Sequence, residues 1–594
     1  FNLWVAALTS TGISTGYSSV SNKYVSVKLV DNSDNACGPD SARTCNSTCT
    51  NKTAVEAGAT QIATFPSGGT TGVATPSPTF TLNSAWKNLI AVMKECTTSA
   101  CTAFTATAPA CAADSFSVRP ASIASVTSSN ATNTGATGTP IFKAGADTFA
   151  LTATTTGIVG SPSGYTGILK INSNTSGAVL ALSPATNIGT IAPTTFPAAT
   201  SGTPSSTATG NNFTYSEVGG FYFRGYNPAT NATASRGIYD GVDTVTECAA
   251  PVTLAQCDTL RAATWTGIDS ISTEVDCVSN NYSNTKVGGK YGCNFGVVAD
   301  TGGFGRFTPA YFDVAYIDGC SGSATFTYSG QPFTVIATAK NTSGVKTDNY
   351  DGTLGFAKDA TISNAGIATN FTNNVMVAGN FVNGARTQST VTYTFPAKET
   401  ALATLTLRAT DTDGINSVGH NEDPAEIRSG RIHLFNAYGS ELVDLLIPLR
   451  VEYYSATDGW IANTTDTCSS VTLLPLSNFQ GNLALGETCV QDTGSPGVSG
   501  QGCTVAGPLA PVNEQYLALP KITGSPPPPL GSYNLYLKAS GSGNEGSVDV
   551  TANLASKTWL RFDWNGAGDV DPTGKATFGL YRGSPKHIYM RERY

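Results

Sequence analysis

Charge is what this chain has least of. Asp, Glu, Lys and Arg make up only 12% of its 594 residues, where soluble domains carry about 25%. The formal net charge is −8 and no long basic run occurs. Phosphate binding draws on clustered Lys and Arg, so nucleic acid is excluded as a partner. Histidine is as scarce: His420, His433 and His587 are the only three, which leaves little for a metal centre or a general base. No run of about 18 apolar residues exists to form a transmembrane helix, and no signal peptide opens the sequence. The first residues, Phe1 to Leu8, already read as a strand, so a segment upstream of them is expected.

What fills the space left by charge is glycine, 62 residues of it, together with Ser, Thr and Asn. A surface of hydroxyls and amides is usual for exported β-proteins. The 14 cysteines fall in clusters: Cys37, Cys45, Cys49, Cys96, Cys101 and Cys111; then Cys248, Cys257, Cys277 and Cys293; then Cys320; then Cys468, Cys489 and Cys503. Structural zinc wants paired C-x2-C knuckles or His partners. Here Cys45 and Cys49 are spaced C-x3-C, and Cys96 and Cys101 are spaced C-x4-C. The cysteines are therefore read as disulfide-forming, which implies an oxidising compartment. Cys320 and the last three cysteines are both odd groups. A bond between those segments would resolve the parity, but connectivity is not readable from spacing.

Short runs of alternating or β-branched residues recur between Gly, Asn, Asp, Ser and Pro. Lys23 to Val30, Thr148 to Thr154 and Phe333 to Ala339 are examples. Strands with turn signals every 8–12 residues or so predict β-sandwiches. The fold class is all-β: tandem immunoglobulin-like sandwiches, disulfide-bonded, with little helix. Asn83 to Cys96 reads as one helical face or as a buried strand, and periodicity does not choose between them. Val252 to Trp265 is the other short helix candidate. At roughly 150 residues per domain, about four domains are expected. Composition places them at 1–113, 114–302, 303–427 and 428–594. Phe116-Ser117-Val118-Arg119-Pro120 and Phe304-Gly305-Arg306-Phe307-Thr308-Pro309 read as the openings of the second and third, and Gly430-Arg431-Ile432-His433 as the opening of the fourth. Ala/Thr/Gly/Ser-rich sequence near 184–210 reads as low complexity, and Pro526 to Pro529 as a stiff surface loop.

Few residues promise chemistry. Gly12-Ile13-Ser14-Thr15-Gly16 has the spacing of a nucleophile elbow, which needs a helix after the serine and a histidine within reach. A strand is expected to follow instead. His433 alternates with Ile432 and Leu434 and belongs on one face of a strand. Glu441 and Asp444 lie among Leu442, Val443 and Leu445, close in sequence to Arg431 and Arg450, and are read as buried ion-pair partners. One loop suggests a cation. Asp563, Asn565, Asp569 and Asp571 occupy positions 1, 3, 7 and 9 of a calcium-loop count, with Gly568 at 6. Ala567 at position 5 and Gly574 at position 12 break the pattern, so calcium stands beside a plain hairpin turn as the two readings. Asp411-Thr412-Asp413-Gly414 is a weaker case of the same kind.

The run Gly430-Arg431-Ile432-His433-Leu434-Phe435-Asn436-Ala437-Tyr438-Gly439-Ser440-Glu441-Leu442 resembles the signature of the MshQ-like domain, associated with MSHA-type type IV pili. Asp114 to Pro120, Phe213 to Gly219, Tyr291-Gly292-Cys293, Phe304 to Phe307, Tyr328 to Phe333, Asn349 to Gly352, Phe562 to Gly566 and Ala576 to Gly579 are similar to the same family in the same order. After Pro309 the family has Asp-His-Phe, where this chain has Ala310-Tyr311-Phe312. The resemblance implies export through the periplasm of a Gram-negative bacterium to the cell surface, and no known reaction. It leads to a non-enzymatic, pilus-associated adhesin or accessory protein whose partners are pilus or other surface proteins, or a carbohydrate or other surface ligand. The alternative is a subunit that polymerises with copies of itself into an extracellular filament, with the Phe1 to Leu8 strand donated to a neighbour.

Overall fold

The computed structural model describes the chain apart from residues 10–11, 35, 38–43, 159–162, 173–178, 184–185, 203–204, 226–235, 241–276, 279–281, 286–290, 293, 321–324, 467, 492–531, 534 and 580–594. The helix candidate Val252 to Trp265, the Pro526 to Pro529 stretch and His587 lie outside the described residues. The chain divides into two compact units. The first is Phe1–Thr308 with Asn341–Ser343, and the second is Pro309–Lys340 with Gly344–Tyr594. Both are built from β-sheet. The one α-helix among the described residues is Ser47–Asn51, whose N-terminus is capped by the Asn46 side chain accepting from the Cys49 N–H at 2.8 Å.

The first unit begins with a four-stranded antiparallel sheet ordered Thr60–Phe65, Lys23–Asp31, Trp86–Cys96, Ala110–Val118. Val25, Val27 and Leu29 point to one face and meet Val5, Phe65 and Phe80. Val30, Ile90 and Val92 point to the other and meet Cys37, Cys45, Cys49 and Cys111. Burial on both faces gives Trp86–Cys96 its continuous apolar run, and removes the alternation that would have marked it as a strand. The segment at Phe1 to Leu8 is paired within its own domain. Asn2 bridges Thr79, Ala6 bridges Val73, and the Phe80 N–H donates to the Phe1 carbonyl at 2.8 Å.

Two four-stranded sheets follow, one containing Phe149–Thr156 and Thr207–Tyr215, the other Gly219–Phe223 and Phe304–Thr308. Their facing sides share an aromatic core in which Phe149 lies 5.9 Å from Phe221 and 5.3 Å from Phe307, centroid to centroid. Phe304–Thr308 is buried on both faces and lies between Gly219–Phe223 and Phe142–Lys143. It therefore completes this sandwich rather than opening the next. Phe116, Ser117 and Val118 likewise belong to the last strand of the first sheet.

In the second unit, Tyr311–Ile317, Phe333–Lys340, Ala385–Tyr393 and Phe371–Thr372 form one sheet of the third domain. Thr327–Tyr328, Pro424–Arg428, Ala403–Asp411, Ala360–Asn364 and Val375–Met376 form the other. The fourth domain packs Gly430–Leu434, Leu449–Ser455 and Gly459–Ala462 against a sheet centred on Gly546–Asn553 and Thr573–Phe578. Its core takes in Cys320, Phe326 and Tyr328 from the third domain along with Ile432, Leu434, Val451, Val548 and Phe578. No helix among the described residues is long and apolar enough to cross a membrane.

Candidate functional site

Alternation in the Gly430–Leu434 strand buries Ile432 and Leu434 in the core and turns Arg431 and His433 to the opposite face. The neighbouring strand Leu449–Ser455 runs antiparallel, with Arg431 opposite Glu452 and His433 opposite Arg450. Directly opposed residues share a face, so two arginines, a histidine and a glutamate gather on one side of the sheet. Arg431 donates through Nε to Glu452 Oε2 at 2.8 Å, and His433 Nδ1 lies 3.5 Å from the same oxygen. Burial alone would raise the Glu452 carboxyl, but His433 and Arg431 outweigh it and hold the group below the ordinary glutamate value.

Aromatic rings cover this polar row. The Arg431 guanidinium carbon lies 4.3 Å from the Trp460 ring, 4.7 Å from Phe562 and 4.9 Å from Trp564. His433 stacks on Phe435 at 3.7 Å and lies 4.6 Å from Trp564. Arg450 stands over Phe435 at 4.8 Å. The result is a row Trp564, His433, Phe435, Arg450, half-buried throughout, beside a caged Arg431–Glu452 pair. Trp460 Nε1 and Trp564 Nε1 are buried without a hydrogen-bond partner. Guanidinium–aromatic contacts of this kind are worth about 0.5–2 kcal/mol each. They hold both arginines in place, Arg431 with its Nε–H committed to Glu452 and Arg450 over Phe435.

The sequence had pointed Arg431 and Arg450 toward Glu441 and Asp444. The structure corrects this. Asp444 accepts from the Ala539 N–H at 2.9 Å, Glu441 is contacted by the Ser440 hydroxyl, and Leu442 and Val443 are exposed. The partner of Arg431 is Glu452, which proximity in sequence concealed. Its signal was the alternation Arg450, Val451, Glu452, which puts the two charged residues on the face opposite Val451. Elsewhere, Gly12–Ile13 pairs with Leu8–Thr9 and the next strand is Lys23–Asp31, so no helix follows Ser14. Tyr311, where the resembling family has histidine, stacks flat on His420 at 3.3 Å.

The calcium-loop residues have other partners. Asp571 Oδ1 accepts from Arg561 Nε at 2.7 Å and from the Leu554 N–H at 3.2 Å. Asp569 lies 3.8 Å from Lys398 Nζ, Asn565 Oδ1 accepts from the Ala567 N–H, and Asp563 is exposed. The loop is closed by a Phe562–Val570 bridge and turns at Gly566 and Gly568, with φ of +79° and +106° that favour glycine. Among the described residues, the groups of three ligand-bearing His, Cys, Asp or Glu atoms within 4.8 Å are Cys45, Cys49 and Cys111, and Cys320, Asp466 and Cys468. The sulfurs in both groups are bonded as disulfides. These are Cys37–Cys49, Cys45–Cys111, Cys96–Cys101 and Cys320–Cys468, and Cys489 is also disulfide-bonded. Cys248, Cys257, Cys293 and Cys503, and the side chain of Cys277, lie outside the described residues.

The weaker loop, Asp411 to Gly414, is closed on itself. Asp411 Oδ1 accepts from the Asp413 and Ile415 N–H groups and Oδ2 from the Tyr350 hydroxyl, each at 2.9 Å. Burial pushes the Asp411 carboxyl up from 3.8 to about 6. A carboxyl raised in the folded state binds its proton more tightly there than when unfolded. The third domain should therefore gain stability as the pH falls from above 6 toward 4. At roughly 1.4 kcal/mol per pKa unit, the gain is at most about 3 kcal/mol. Asp411→Asn keeps an acceptor for both N–H groups and a donor for Tyr350. It is expected to melt at least as high as wild type at pH 7 and to lose this pH response. A wild-type melting curve unchanged from pH 7 to pH 4 would count against the assignment.

Residues 428–593 match the family model of DUF6701, fourth domain, and residues 278–428 that of DUF6701, third domain. No curated protein matches the chain. Among solved structures, it is 13% identical to the Yersinia pseudotuberculosis adhesin InvE, over 45% of this chain and 58% of that one, with a TM-score of 0.16. It is 11% identical to the tetra-tandem repeat in the extending region of a large adhesion protein, over 95% and 93%, with a TM-score of 0.24. Domains 5–6 of the S-layer protein SbsC are matched at 13% identity over 44% and 95%, with a TM-score of 0.12. Scores at this level carry no argument about function, and the chain spans little more than half the length of the Yersinia adhesin. The family matches name no pilus protein and no enzyme. Residues 278–593, more than half of the chain, carry the third and fourth domains of DUF6701 in order, and the chain belongs to that family.

Proposed function

We propose that this chain is a non-enzymatic, extracellular surface protein of the adhesin kind, whose fourth domain presents the Arg431–Trp564 face to a ligand. The observation that carries the reading is the face itself. Interfaces concentrate Trp, Tyr and Arg at their binding centres, and here two tryptophans and two arginines converge on a disulfide-braced domain. Neither described histidine ring hydrogen-bonds a hydroxyl or thiol, as nucleophilic catalysis would ask. The disulfides support an oxidising destination. Association with type IV pili, and export through a Gram-negative periplasm, rest on the motif resemblance.

Electron microscopy of the producing cells, with gold-labelled antibody against the fourth domain, tests the reading. Label at pilus ends or scattered over the envelope is expected. Regular label along whole filaments would make the chain a filament subunit instead, and label confined to the cell interior would end the proposal. Strand donation by Phe1 to Leu8 draws no support from the fold, because that segment is already paired with residues 72–80.

A further inference from the structure

The Cys320–Cys468 bond closes a sequence separation of 148 residues, and its place in the fold decides where tension runs in the second unit. Cys320 comes just after Tyr311–Ile317, the first strand of the third domain. Cys468 comes after Gly459–Ala462 of the fourth. The other described strands of the third domain, from Thr327–Tyr328 to Pro424–Arg428, all lie between the two cysteines. A segment whose two ends are covalently joined is left out of the load path, because pulling cannot separate them.

The part that stays in the path is already straight. Tyr311 to Ile317 pairs residue for residue with Lys340 to Thr334. On the other edge, the Phe312 N–H donates to the Asn416 carbonyl at 3.2 Å and the Val314 N–H to the Asn421 carbonyl at 2.8 Å. Both neighbours belong to the closed segment, so they grip the strand without carrying its tension. At the strand's end, the Gly319 N–H donates to the Thr327 hydroxyl at 2.8 Å and the Cys320 N–H to the Phe326 carbonyl at 3.2 Å. A strand rises about 3.3 Å per residue and a taut chain reaches at most about 3.6 Å, so this strand of 7 residues gains only about 2 Å when pulled. Forced unfolding is governed by the unfolding rate, and force raises that rate only through the length the chain gains on the way.

We infer that the Cys320–Cys468 bond is a load bypass for the third domain. Tension between residues ahead of Pro309 and residues beyond Cys468 runs along Tyr311–Ile317, crosses the disulfide and leaves the rest of the third domain unloaded. Load that enters the fourth domain at its ligand face cannot draw the third domain out either while the fourth stays folded, since Cys468 holds Cys320 to it. The inference rests on the proposed reading of the chain as an adhesin-like surface protein, which is what supplies the load.

Single-molecule force spectroscopy on the disulfide-intact full chain, with a handle at each end, tests it. At full extension, wild type should be roughly 50 nm shorter than Cys320→Ser with Cys468→Ser, which is the 148-residue separation at about 3.3–3.6 Å per residue. Full extension is read whether or not the serine variant folds as wild type does. A second change keeps the bond. An insert of about twenty Gly/Ser residues after Gly366, in an exposed turn of the third domain, should add no length to the disulfide-intact chain and about 7 nm to the serine variant. Equal lengths for wild type and the serine variant overturn the bypass, as does an insert that lengthens the disulfide-intact chain. Gold label confined to the cell interior would take away the load and leave these lengths unchanged, so the inference and the surface reading fail separately.

Discussion

Glu452→Ala is expected to destabilise the fourth domain by about 3–5 kcal/mol, as does removing one member of a buried ion pair elsewhere. Arg431 keeps only 12% of its side chain exposed and is enclosed by Trp460, Phe562 and Trp564. Without Glu452 its charge stays desolvated and unmatched beneath the three rings. Glu452→Gln keeps an acceptor oxygen and should cost less. The double replacement Arg431→Met with Glu452→Leu should recover most of the loss, because it removes both charges and retains the packing. The midpoint of urea unfolding, followed by tryptophan fluorescence, reads all three. The pH response has a definite sign. The folded-state carboxyl is held below its unfolded value of 4.5, so its contribution is present above that pH and is lost as pH falls through the folded value. Wild type should lose stability below about pH 4.5 that Glu452→Gln does not lose. A Glu452→Ala protein with wild-type stability would mean that Arg431 finds water in place.

The strands most legible in the sequence are those with one buried face. Phe149–Thr156 and Phe333–Lys340 alternate buried and half-buried residues along their whole length, which is what a period of two predicts. Trp86–Cys96 escaped because cores lie on both sides of it. The first two joints between domains fall a few residues later than expected, for a related reason, whereas the third coincides with the start of the fourth family domain at residue 428. An aromatic strand ending at a proline marks where the chain leaves one sandwich for another, but it does not say which sandwich owns the strand. Phe304–Thr308 and the end of Ala110–Val118 both belong to the domain before.

The site was legible only in part. Strand alternation placed His433 on the polar face together with Arg431. What it could not supply was the pairing across strands, and so Arg431 was assigned to carboxylates nearby in sequence instead of Glu452. The oxygen pattern from Asp563 to Asp571 shows the same limit. Spacing along a loop states which oxygens are available, while Lys398, distant in sequence, and Arg561 decide where two of them point. The ring cage over Arg431 joins Trp460 to Phe562 and Trp564, about a hundred residues apart, and no local signal connects them.

Removing the Cys320–Cys468 bond by replacing both cysteines with serine should cost the second unit about 5 kcal/mol. That figure follows from the loop entropy of a sequence separation of 148 residues. The bond joins the third domain to the fourth at a point where the two already share a core through Phe326 and Tyr328. Tyr328 donates to Asp466 Oδ2 at 2.6 Å and accepts from Asn463 Nδ2 at 2.7 Å, and Asp466 Oδ1 accepts from the Cys468 and Ser469 N–H groups. Arg428 covers the junction, 4.4 Å from the Phe326 ring and 5.0 Å from Tyr453, with its guanidinium donating to Asn463. With the disulfide intact, these contacts make unfolding of either domain expose the core of the other. Urea should then give one cooperative transition for the pair. Without the bond, the polar contacts and the shared rings still favour docking, but a domain that opens is no longer held close to its partner. The expected result is a lower midpoint and a transition that separates into two, seen as non-coincident curves for fluorescence and circular dichroism. A single transition with an unchanged midpoint would show that the buried Tyr328–Asp466–Asn463 network alone joins the two domains, and that the disulfide only records where they meet.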